Sequence, residues 1–347
     1  APTTAERVDM PAAHKHAPSL SLDMRRALLI MRAMNFQQLR SVREAQRRGF
    51  NLTEVANALH TSQPGISRQI RELEDELGVE IFVRAGKRLT GLTPAGARVL
   101  PWVERLLLDA DNLQRASEDF RVGDAGVLSI AATHSQARYA MPTAVRDFRA
   151  QHPKVQLQLH QGSPAQIAQM LLNGTADVGI ASLALADEPE IVALPCYRWT
   201  HSVIVPAGHP LQSGELTLAR LAEFPVITYD NGFTGRGSID HAFAQAGLQP
   251  SVVLTAMDAD VIKTYVELGL GVGIIAAIAY DETRDAHLHA IDARHLFAVN
   301  TTSVGVRRGA LLRAFAYDFI TVFAPHLARD AVQQAQATPS GTPPVPL

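Results

Sequence analysis

Two arginines, a glutamine and a serine stand close together near the start of the chain, at spacings that would place them on one face of a helix. They are Gln63, Ser67, Arg68 and Arg71. Glutamine and arginine side chains can form paired hydrogen bonds with base edges in the major groove of DNA, and a serine hydroxyl can bond a base or a phosphate. A helix that presents these side chains to solvent could therefore recognise a DNA sequence.

The surrounding residues predict such a helix. Ser62 can cap it, and Pro64 falls in its first turn, where a missing N–H costs little. Gly78 is a typical helix end. Apolar residues recur at steps of four, three and four, which predicts one buried stripe. These residues are Ile66, Ile70, Leu73 and Leu77.

A short amphipathic helix is predicted directly before it, with Asn51 as its cap and an apolar face that runs from Leu52 to Leu59. His60 and Thr61 leave room only for a tight turn between the two helices. Two short helices joined in this way predict a helix-turn-helix, whose second helix can enter the major groove.

A β-hairpin is predicted after Gly78, with strands over 81–83 and 89–92. Its cations could bind phosphates beside the groove, which is the arrangement of a wing. The complete predicted DNA-binding set is Ser62, Gln63, Pro64, Ser67, Arg68, Arg71, Arg84, Lys87 and Arg88. Taken from the residues alone, a helix-turn-helix used for protein contacts or a plain three-helix core stays open.

The composition of the chain limits which classes of protein it can belong to. The chain has 347 residues, is 47% hydrophobic, and carries a net charge of −2, so DNA binding must depend on a local basic patch. The single cysteine, Cys196, suits a reducing cytoplasm. No apolar run is long enough to span a membrane, and Arg32 interrupts a signal-like stretch that starts at Met24. We expect residues 1–34 and 334–347 to be disordered.

The string from Leu52 to Arg84 closely resembles the DNA-binding domain of LysR-type transcriptional regulators, above all in the segment that starts S-Q-P and ends LG. The resemblance implies a winged helix-turn-helix over 35–92 and a linker helix over 93–121 that pairs with its twin. Family members are commonly homotetramers, built as dimers of dimers, that bend promoter DNA and contact RNA polymerase. Pro101 lies inside the predicted linker helix, where we expect a kink or a loosened first turn.

Short strands alternate with helices from Val127 onward, which predicts a mainly parallel α/β sheet. Strings such as "AATHSQARYAMP", "NGFTGRG" and "DADVIKTYVELGLGVGIIA" resemble the CysB subgroup, the regulators of sulfur acquisition. This resemblance implies a two-lobed effector-binding domain like that of periplasmic binding proteins over 126–333. We expect the first lobe to comprise about 126–194 and 258–333, and the second about 195–257.

The subgroup resemblance also implies an effector site for a small molecule such as sulfate, thiosulfate, acetylserine or a sulfonate. Its residues fall on Thr133, His134, Ser135, Gln136, Ser182 and Thr234. The first four lie between a predicted strand and a predicted helix, where backbone N–H groups favour an anion. Asp230 stands where an uncharged residue is expected, so either the effector carries an ammonium group or this carboxylate points to solvent.

The residues give little support to an enzyme, a cofactor site or a metal site. No nucleophile–base constellation stands out, so we expect no enzyme activity. The glycines at 269, 271 and 273 lack the full dinucleotide spacing, and we expect no cofactor. His287 and His289 lack supporting ligands, and we expect no metal. We therefore expect a cytoplasmic transcription activator that binds no membrane. The alternative is a small-anion-binding protein whose N-terminal helices serve only to assemble it.

Overall fold

The computed structural model describes residues 34–86, 88–122, 125–182, 185–233 and 235–338. The chain divides into two compact units, residues 1–110 and 111–347. The predicted site residues Lys87 and Thr234 lie outside the described residues, as does nearly all of the predicted N-terminal extension. No helix in the described part of the chain is long and apolar enough to cross a membrane.

The first unit opens with three helices: α1 (Phe36–Arg47), α2 (Leu52–Ala58) and α3 (Gln63–Leu77). The predicted cap of α3 is confirmed, because Ser62 Oγ accepts a hydrogen bond from the Gly65 N–H at 3.3 Å. The predicted end is confirmed as well, since Gly78 adopts a left-handed conformation with φ of 66°. The helix-turn-helix prediction therefore describes this part of the fold correctly.

The apolar stripe of α3 forms the centre of this unit's core. Ile66, Ile70 and Leu73 have no solvent exposure. They share one hydrophobic cluster with residues of α1, α2 and the hairpin, among them Val42, Val55 and Phe82. The hairpin consists of antiparallel strands β1 (Phe82–Ala85) and β2 (Arg88–Leu92).

A long helix, α4 (Pro94–Val122), follows the hairpin and continues through Pro101. Thr93 Oγ1 accepts a hydrogen bond from the Gly96 N–H at 2.9 Å, which caps its start. Its surface carries large apolar side chains, with Trp102 71% exposed and Leu113 73% exposed.

The second unit contains two five-stranded mixed sheets. The sheet of the first lobe has the order β4-β3-β5-β12-β6, in which β4, β3 and β5 are parallel and β12 is antiparallel to both of its neighbours. Its strands are β3 (Gly126–Ala132), β4 (Val155–Gln161), β5 (Val178–Ser182), β6 (Ile191–Trp199) and β12 (Asn300–Arg307). Its helices are a π-helix (Gln136–Ala140), α5 (Met141–Gln151), α6 (Pro164–Leu172), α10 (Ala314–Phe323) and α11 (Arg329–Ala337).

The sheet of the second lobe has the order β11-β7-β10-β8-β9. Its strands are β7 (His201–Pro206), β8 (Val226–Tyr229), β9 (Val252–Ala256), β10 (Val272–Ala276) and β11 (Leu288–Asp292). Its helices are α7 (Leu218–Ala222), α8 (Arg236–Gln245) and α9 (Ala259–Glu267), with short 3-10 turns at Pro210–Gln212 and Ala277–Ala279.

Two predicted boundaries are wrong. The chain was expected to return to the first lobe near Asp258, but β10 pairs with β8 and β11 pairs with β7, so the return comes only at β12. The local sequence pattern shows that a segment forms a strand, but it does not show in which sheet that strand pairs. The C-terminal tail was expected from residue 334, whereas α11 continues to Ala337 because Val332 packs into the first lobe's core.

Candidate functional site

The N-terminal turn of α3 presents most of the predicted DNA-binding residues to solvent. Ser62, Gln63 and Pro64 are exposed, and so are Arg68 and Arg71 one and two turns later. Ser67 is half-buried. Since the opposite face of α3 is locked into the core, these side chains form one outward surface, which can enter a groove without disturbing the fold.

Arg68 is held along this surface by a neighbour on the same helix. Its Nε lies 2.7 Å from Glu72 Oε1, one turn further along. The Arg68 side chain is 81% exposed and that of Glu72 41% exposed, so the pair is solvated and contributes little to stability. A phosphate or a base edge can therefore compete for the guanidinium.

Arg84 departs from its predicted role. Its Nη2 lies 2.5 Å from Oε2 of Glu74, a buried carboxylate on α3. The other oxygen of Glu74 accepts the N–H groups of Ile81 and Phe82 at 2.9 and 3.1 Å. The Arg84 guanidinium is thus paired inside the unit, whereas Arg88 is exposed.

A second candidate site lies in the second unit, where the carboxyl ends of strands from both lobes meet around a cavity. The cavity is small, with about 20 Å³ available to the centre of a water molecule, and it opens to solvent. The first lobe supplies Thr133, His134, Ser135, Gln136 and Trp199. The second lobe supplies Tyr229, Phe233, Met257 and Ala276. Four predicted effector residues therefore come together here.

These four residues open a continuous helical segment that begins at His134, passes through the π-helix and continues as α5. The start of such a segment offers unpaired backbone N–H groups and the positive end of the helix dipole. Gln136 is 4% exposed, and it bonds within its own lobe by donating to Thr302 Oγ1 at 3.2 Å and accepting from the Tyr197 hydroxyl. Its side chain thus braces the cavity wall.

Ser182, another predicted effector residue, is linked to Gln136 through Thr302. It is buried, it does not line the cavity, and its Oγ lies 3.3 Å from Thr302 Oγ1. Because Thr302 also bonds Gln136, Ser182 supports the wall from behind.

Asp230 does not line the cavity either. The side chain is exposed, and its Oδ1 accepts the Asn231 N–H at 2.8 Å and the Thr255 hydroxyl at 3.4 Å. These contacts favour the solvent-facing alternative and remove the structural reason for an ammonium group on the effector.

Sequence reasoning missed the four large side chains of the cavity: Trp199, Tyr229, Phe233 and Met257. Tyr229 and Met257 stand at the carboxyl ends of strands that the sequence predicted, where ligands of open α/β sheets commonly bind, and this signal could have found them. Trp199 is 8% exposed, and its indole N–H has no hydrogen-bond partner among the described residues. Such a buried donor is poorly satisfied without a bound molecule.

His201 lies next to Trp199 at the start of β7 and is completely buried. Neither ring nitrogen has a partner among the described residues, and the rings of Trp199 and Phe297 pack edge-on to it at 5.1 and 5.3 Å. Burial lowers the pKa of His201 to about 4, so the imidazole is neutral at physiological pH.

The two lobes are also connected by a charged cluster beside the cavity. Asp260 on α9 accepts the Tyr139 hydroxyl at 2.6 Å and lies 3.2 Å from Arg138 Nε, both on the π-helix of the first lobe. Lys263 Nζ lies 3.1 Å from the same carboxylate and 3.0 Å from Asp285. Burial, and then the bond to Asp260, raise the pKa of Tyr139 to about 12, so this hydroxyl keeps its proton.

The same cluster contains a possible set of metal ligands, since His134, Asp258 and Asp260 offer atoms within 4.8 Å of one another. However, Asp260 is already bonded to two cations. A metal ion would have to displace or approach both Arg138 and Lys263, which is electrostatically unfavourable.

Comparison with known families identifies both regions. Residues 36–97 match the model of the bacterial regulatory helix-turn-helix protein, lysR family, and residues 121–328 match the LysR substrate binding domain. The chain belongs to the LysR family of bacterial transcriptional regulators.

Similar regulators match most of the chain. The transcriptional regulator SsuR of Burkholderia cenocepacia is 62% identical over 295 residues, which are 85% of this chain and 96% of that protein. CysB of the same organism is 52% identical over 303 residues, 87% of this chain and 97% of that protein. The regulator cbl of Escherichia coli K12 is 52% identical over 288 residues, 83% of this chain and 91% of that protein. The resemblance to LysR regulators of the CysB kind is confirmed.

Solved structures agree with the fold. The cofactor-binding domain of the Cbl transcriptional regulator superposes with a TM-score of 0.60 at 46% identity, covering 62% of this LysR-family chain and 95% of that domain. A full-length OxyR variant from Pseudomonas aeruginosa gives a TM-score of 0.58 at 20% identity, covering 85% of this chain and 98% of that one. This second likeness supports the fold alone.

Proposed function

We propose that this LysR-family regulator activates genes of sulfur assimilation or sulfonate utilisation, and that a small sulfur-related molecule bound between the two lobes controls it. Candidate effectors are sulfate, thiosulfate, acetylserine and sulfonates. The exposed leading turn of α3, within a chain of the LysR family, is the observation that carries the proposal. The similarity to SsuR, CysB and cbl supports the sulfur-related gene set.

DNA recognition would use the outward surface of α3. Gln63 and Arg68 would reach base edges in the major groove, while Arg71 and Arg88 would bind phosphates. We propose that α4 pairs with its counterpart in a second copy, since its exposed Trp102 and Leu113 favour burial against an apolar partner surface. A dimer of dimers could then hold two DNA segments, bend the promoter and contact RNA polymerase in the cytoplasm.

Effector binding would act on the two lobes. An anion at the start of the helical segment would be held by the backbone N–H groups and hydroxyls of Thr133 and Ser135 and by the Trp199 N–H. Neutral donors bind an anion reversibly, which suits a sensor better than an enzyme. The Asp260 cluster joins the same helical segment to the second lobe, so a shift of this segment would change how firmly the lobes close.

The test is DNA binding by the full-length protein, measured as fluorescence anisotropy with promoter DNA of sulfonate-utilisation genes and with scrambled DNA. We expect promoter-selective binding that weakens with salt and changes when an effector is added. Alanine at Gln63, Ser67 and Arg68 together should abolish selectivity, whereas Asp75→Ala, at the far end of the same helix, should not. Anion binding without any selective DNA binding would support the alternative, a small-anion-binding protein without a regulatory role.

A further inference from the structure

The last part of α4, from residue 111 onward, belongs to the second unit, and two of its polar side chains bind the first lobe. Asn112 Nδ2 donates to the Gly309 carbonyl at 2.9 Å, and Asn112 Oδ1 accepts the Leu311 N–H at 2.7 Å. Arg115 Nη1 lies 2.5 Å from Asp177 Oδ1. We call these interactions the α4 contact. Because they hold the helix at two successive positions, they fix both its place and its rotation.

The ionic part of the α4 contact is more than a surface pair. The Arg115 and Asp177 side chains are 28% and 13% exposed, and Asp177 Oδ2 also accepts the Ser129 N–H at 3.0 Å. By comparison, Arg105 and Asp109 on the same helix are 73% and 61% exposed and 3.8 Å apart. Ion pairs weaken with distance and with exposure to water. Asp177 therefore joins Arg115 firmly to the backbone of β3.

Two parallel strands of the first lobe run from the α4 contact to the effector cavity. Asp177 directly precedes β5, and Ser129 lies on β3, which pairs with β5. At the other end, β3 leads into Thr133, which lines the cavity, and β5 ends at Ser182. The four steps from Ser129 to Thr133 span roughly 13 Å at the usual rise of a strand. The cavity and the α4 contact thus occupy opposite ends of the same strands.

Strand β12 makes the same connection in the opposite direction. Near its start, Thr302 bonds Gln136 of the cavity wall and lies 3.3 Å from the Ser182 hydroxyl. Past its end, the chain reaches Gly309 and Leu311, which bind Asn112. The three strands β3, β5 and β12 are neighbours in the sheet. A closely packed sheet deforms little, so a displacement at its cavity end is carried to the other end.

The earlier part of α4 packs into the core of the first unit through Leu100, Val103 and Leu107. We propose that Asn112 and Arg115 are positioning residues that transmit effector binding to the DNA-binding unit, because they make α4 follow the first-lobe sheet. Neither side chain lines the cavity. The inference rests on the proposed function and assigns its regulation to two side chains outside the effector site.

The coupling is measured by anisotropy titrations of the full-length protein with promoter DNA of sulfonate-utilisation genes, with and without sulfate, thiosulfate, acetylserine or methanesulfonate. In the unaltered protein, at least one compound should change the promoter Kd by about fivefold or more. In Asn112→Ala and in Arg115→Met this change should fall below about twofold, whereas calorimetry without DNA should give a Kd for that compound within about threefold of the unaltered value.

Two further variants separate the contact from general effects of charge. Arg115→Lys keeps a cation opposite Asp177 and should retain part of the effector-dependent change. Arg146→Met breaks an exposed pair with Asp147 on α5, and should retain all of it.

Amide hydrogen exchange gives a second measurement, which needs no effector. Since the Leu311 N–H donates to the Asn112 side chain, exchange at this amide should become about tenfold faster or more in Asn112→Ala. The end of α4 should exchange faster in Asn112→Ala and in Arg115→Met, while β3 and β5 stay protected.

The inference is overturned if Asn112→Ala and Arg115→Met keep the full effector-dependent change, or if hydrogen exchange in both matches the unaltered protein. It is also overturned if both variants lose affinity for the compound itself, because the side chains would then serve only the fold of the first lobe. These outcomes leave the proposed regulator function intact. If promoter binding by the unaltered protein responds to none of the compounds, the effector part of the proposed function fails, and this inference fails with it.

Discussion

Glu74 ties the recognition helix to the wing by binding Arg84, and the two side chains meet at 2.5 Å. The carboxylate is 7% exposed and the guanidinium 24% exposed, so the pair lies largely inside the first unit. With the N–H groups of Ile81 and Phe82 on its other oxygen, Glu74 fixes where β1 begins relative to α3. Arg84 is therefore a positioning residue for the wing.

The contact with Glu74 distinguishes Arg84 from Arg88, although the sequence predicts the same role for both. Arg88→Gln should lower the slope of log K against log salt by about one, because one phosphate contact is lost. Arg84→Gln should leave that slope unchanged, yet lower the free energy of unfolding by roughly 2–4 kcal/mol, because Glu74 stays buried without its partner. Anisotropy titrations at several salt concentrations and urea unfolding measure the two effects. The assignment fails if Arg84→Gln changes the salt slope and not the stability.

The buried indole N–H of Trp199 gives a prediction for the cavity. Trp199→Phe keeps most of the apolar ring and removes the donor, so anion affinity should fall roughly 10- to 100-fold, the usual range for a hydrogen bond to a charged group. Calorimetry with the tightest-binding sulfur anion measures this. Trp102→Phe, on the exposed surface of α4, is the control and should bind the anion normally. Full affinity in Trp199→Phe would place the anion elsewhere.

The Asp260 cluster predicts how lobe closure supports binding. Asp260→Asn weakens the bonds to Tyr139 and Arg138, so the closed arrangement should be less populated and effector affinity should fall about three- to tenfold. Small-angle scattering should show a larger radius for the variant without effector. Asp147→Asn, which breaks an exposed pair with Arg146 on α5, should change neither quantity. If Asp260→Asn leaves both the radius and the affinity unaltered, the cluster does not support lobe closure.

The sequence predicts the first unit well because its signals are local. The Ser62 cap, the stripe through Ile66 and Ile70, and the Gly78 end all act within a few residues of where they stand, and the structure contains each of them. The place of β10 in the second sheet depends on pairing with β8, some 45 residues earlier in the chain, and no local pattern records that choice.

The same distinction holds for the cavity. Thr133 to Gln136 form one strand-to-helix junction, so the sequence could group them. Trp199, Tyr229 and Met257 lie at or just after the ends of three separate strands, which only the sheet topology brings together. The sequence placed Asp230 at the site because it lies next to the other site residues along the chain. Its hydrogen bonds to Asn231 and Thr255 turn the side chain outward.

The linker helix gives a prediction about assembly. Leu113 is 73% exposed on α4, and an added carboxylate there should oppose burial against a second copy. Leu113→Glu should weaken self-association by at least tenfold in analytical ultracentrifugation. Gln114→Glu adds the same charge at the next, exposed position and should leave assembly nearly unchanged. Equal weakening by both variants would point to general repulsion instead of a seam through Leu113.

The buried imidazole of His201 makes stability depend on pH in a defined direction. Burial depresses its pKa to about 4 in the folded chain, whereas the unfolded chain keeps the ordinary value of 6.5. Below pH 6.5 the unfolded state therefore binds a proton that the folded state does not, and stability is lost as the pH falls toward 4. One group with this shift accounts for about 3 kcal/mol at most.

His201→Phe should remove that dependence, because the ring contacts with Trp199 and Phe297 can be kept without a titrating group. Urea unfolding of both proteins between pH 7.5 and 4.5 measures the difference, in which the effects of all other titrating groups largely cancel. His241→Gln, which removes an exposed imidazole on α8, should follow the unaltered protein throughout. Parallel curves for His201→Phe and the unaltered protein would mean that His201 already finds a partner that stabilises its charged form.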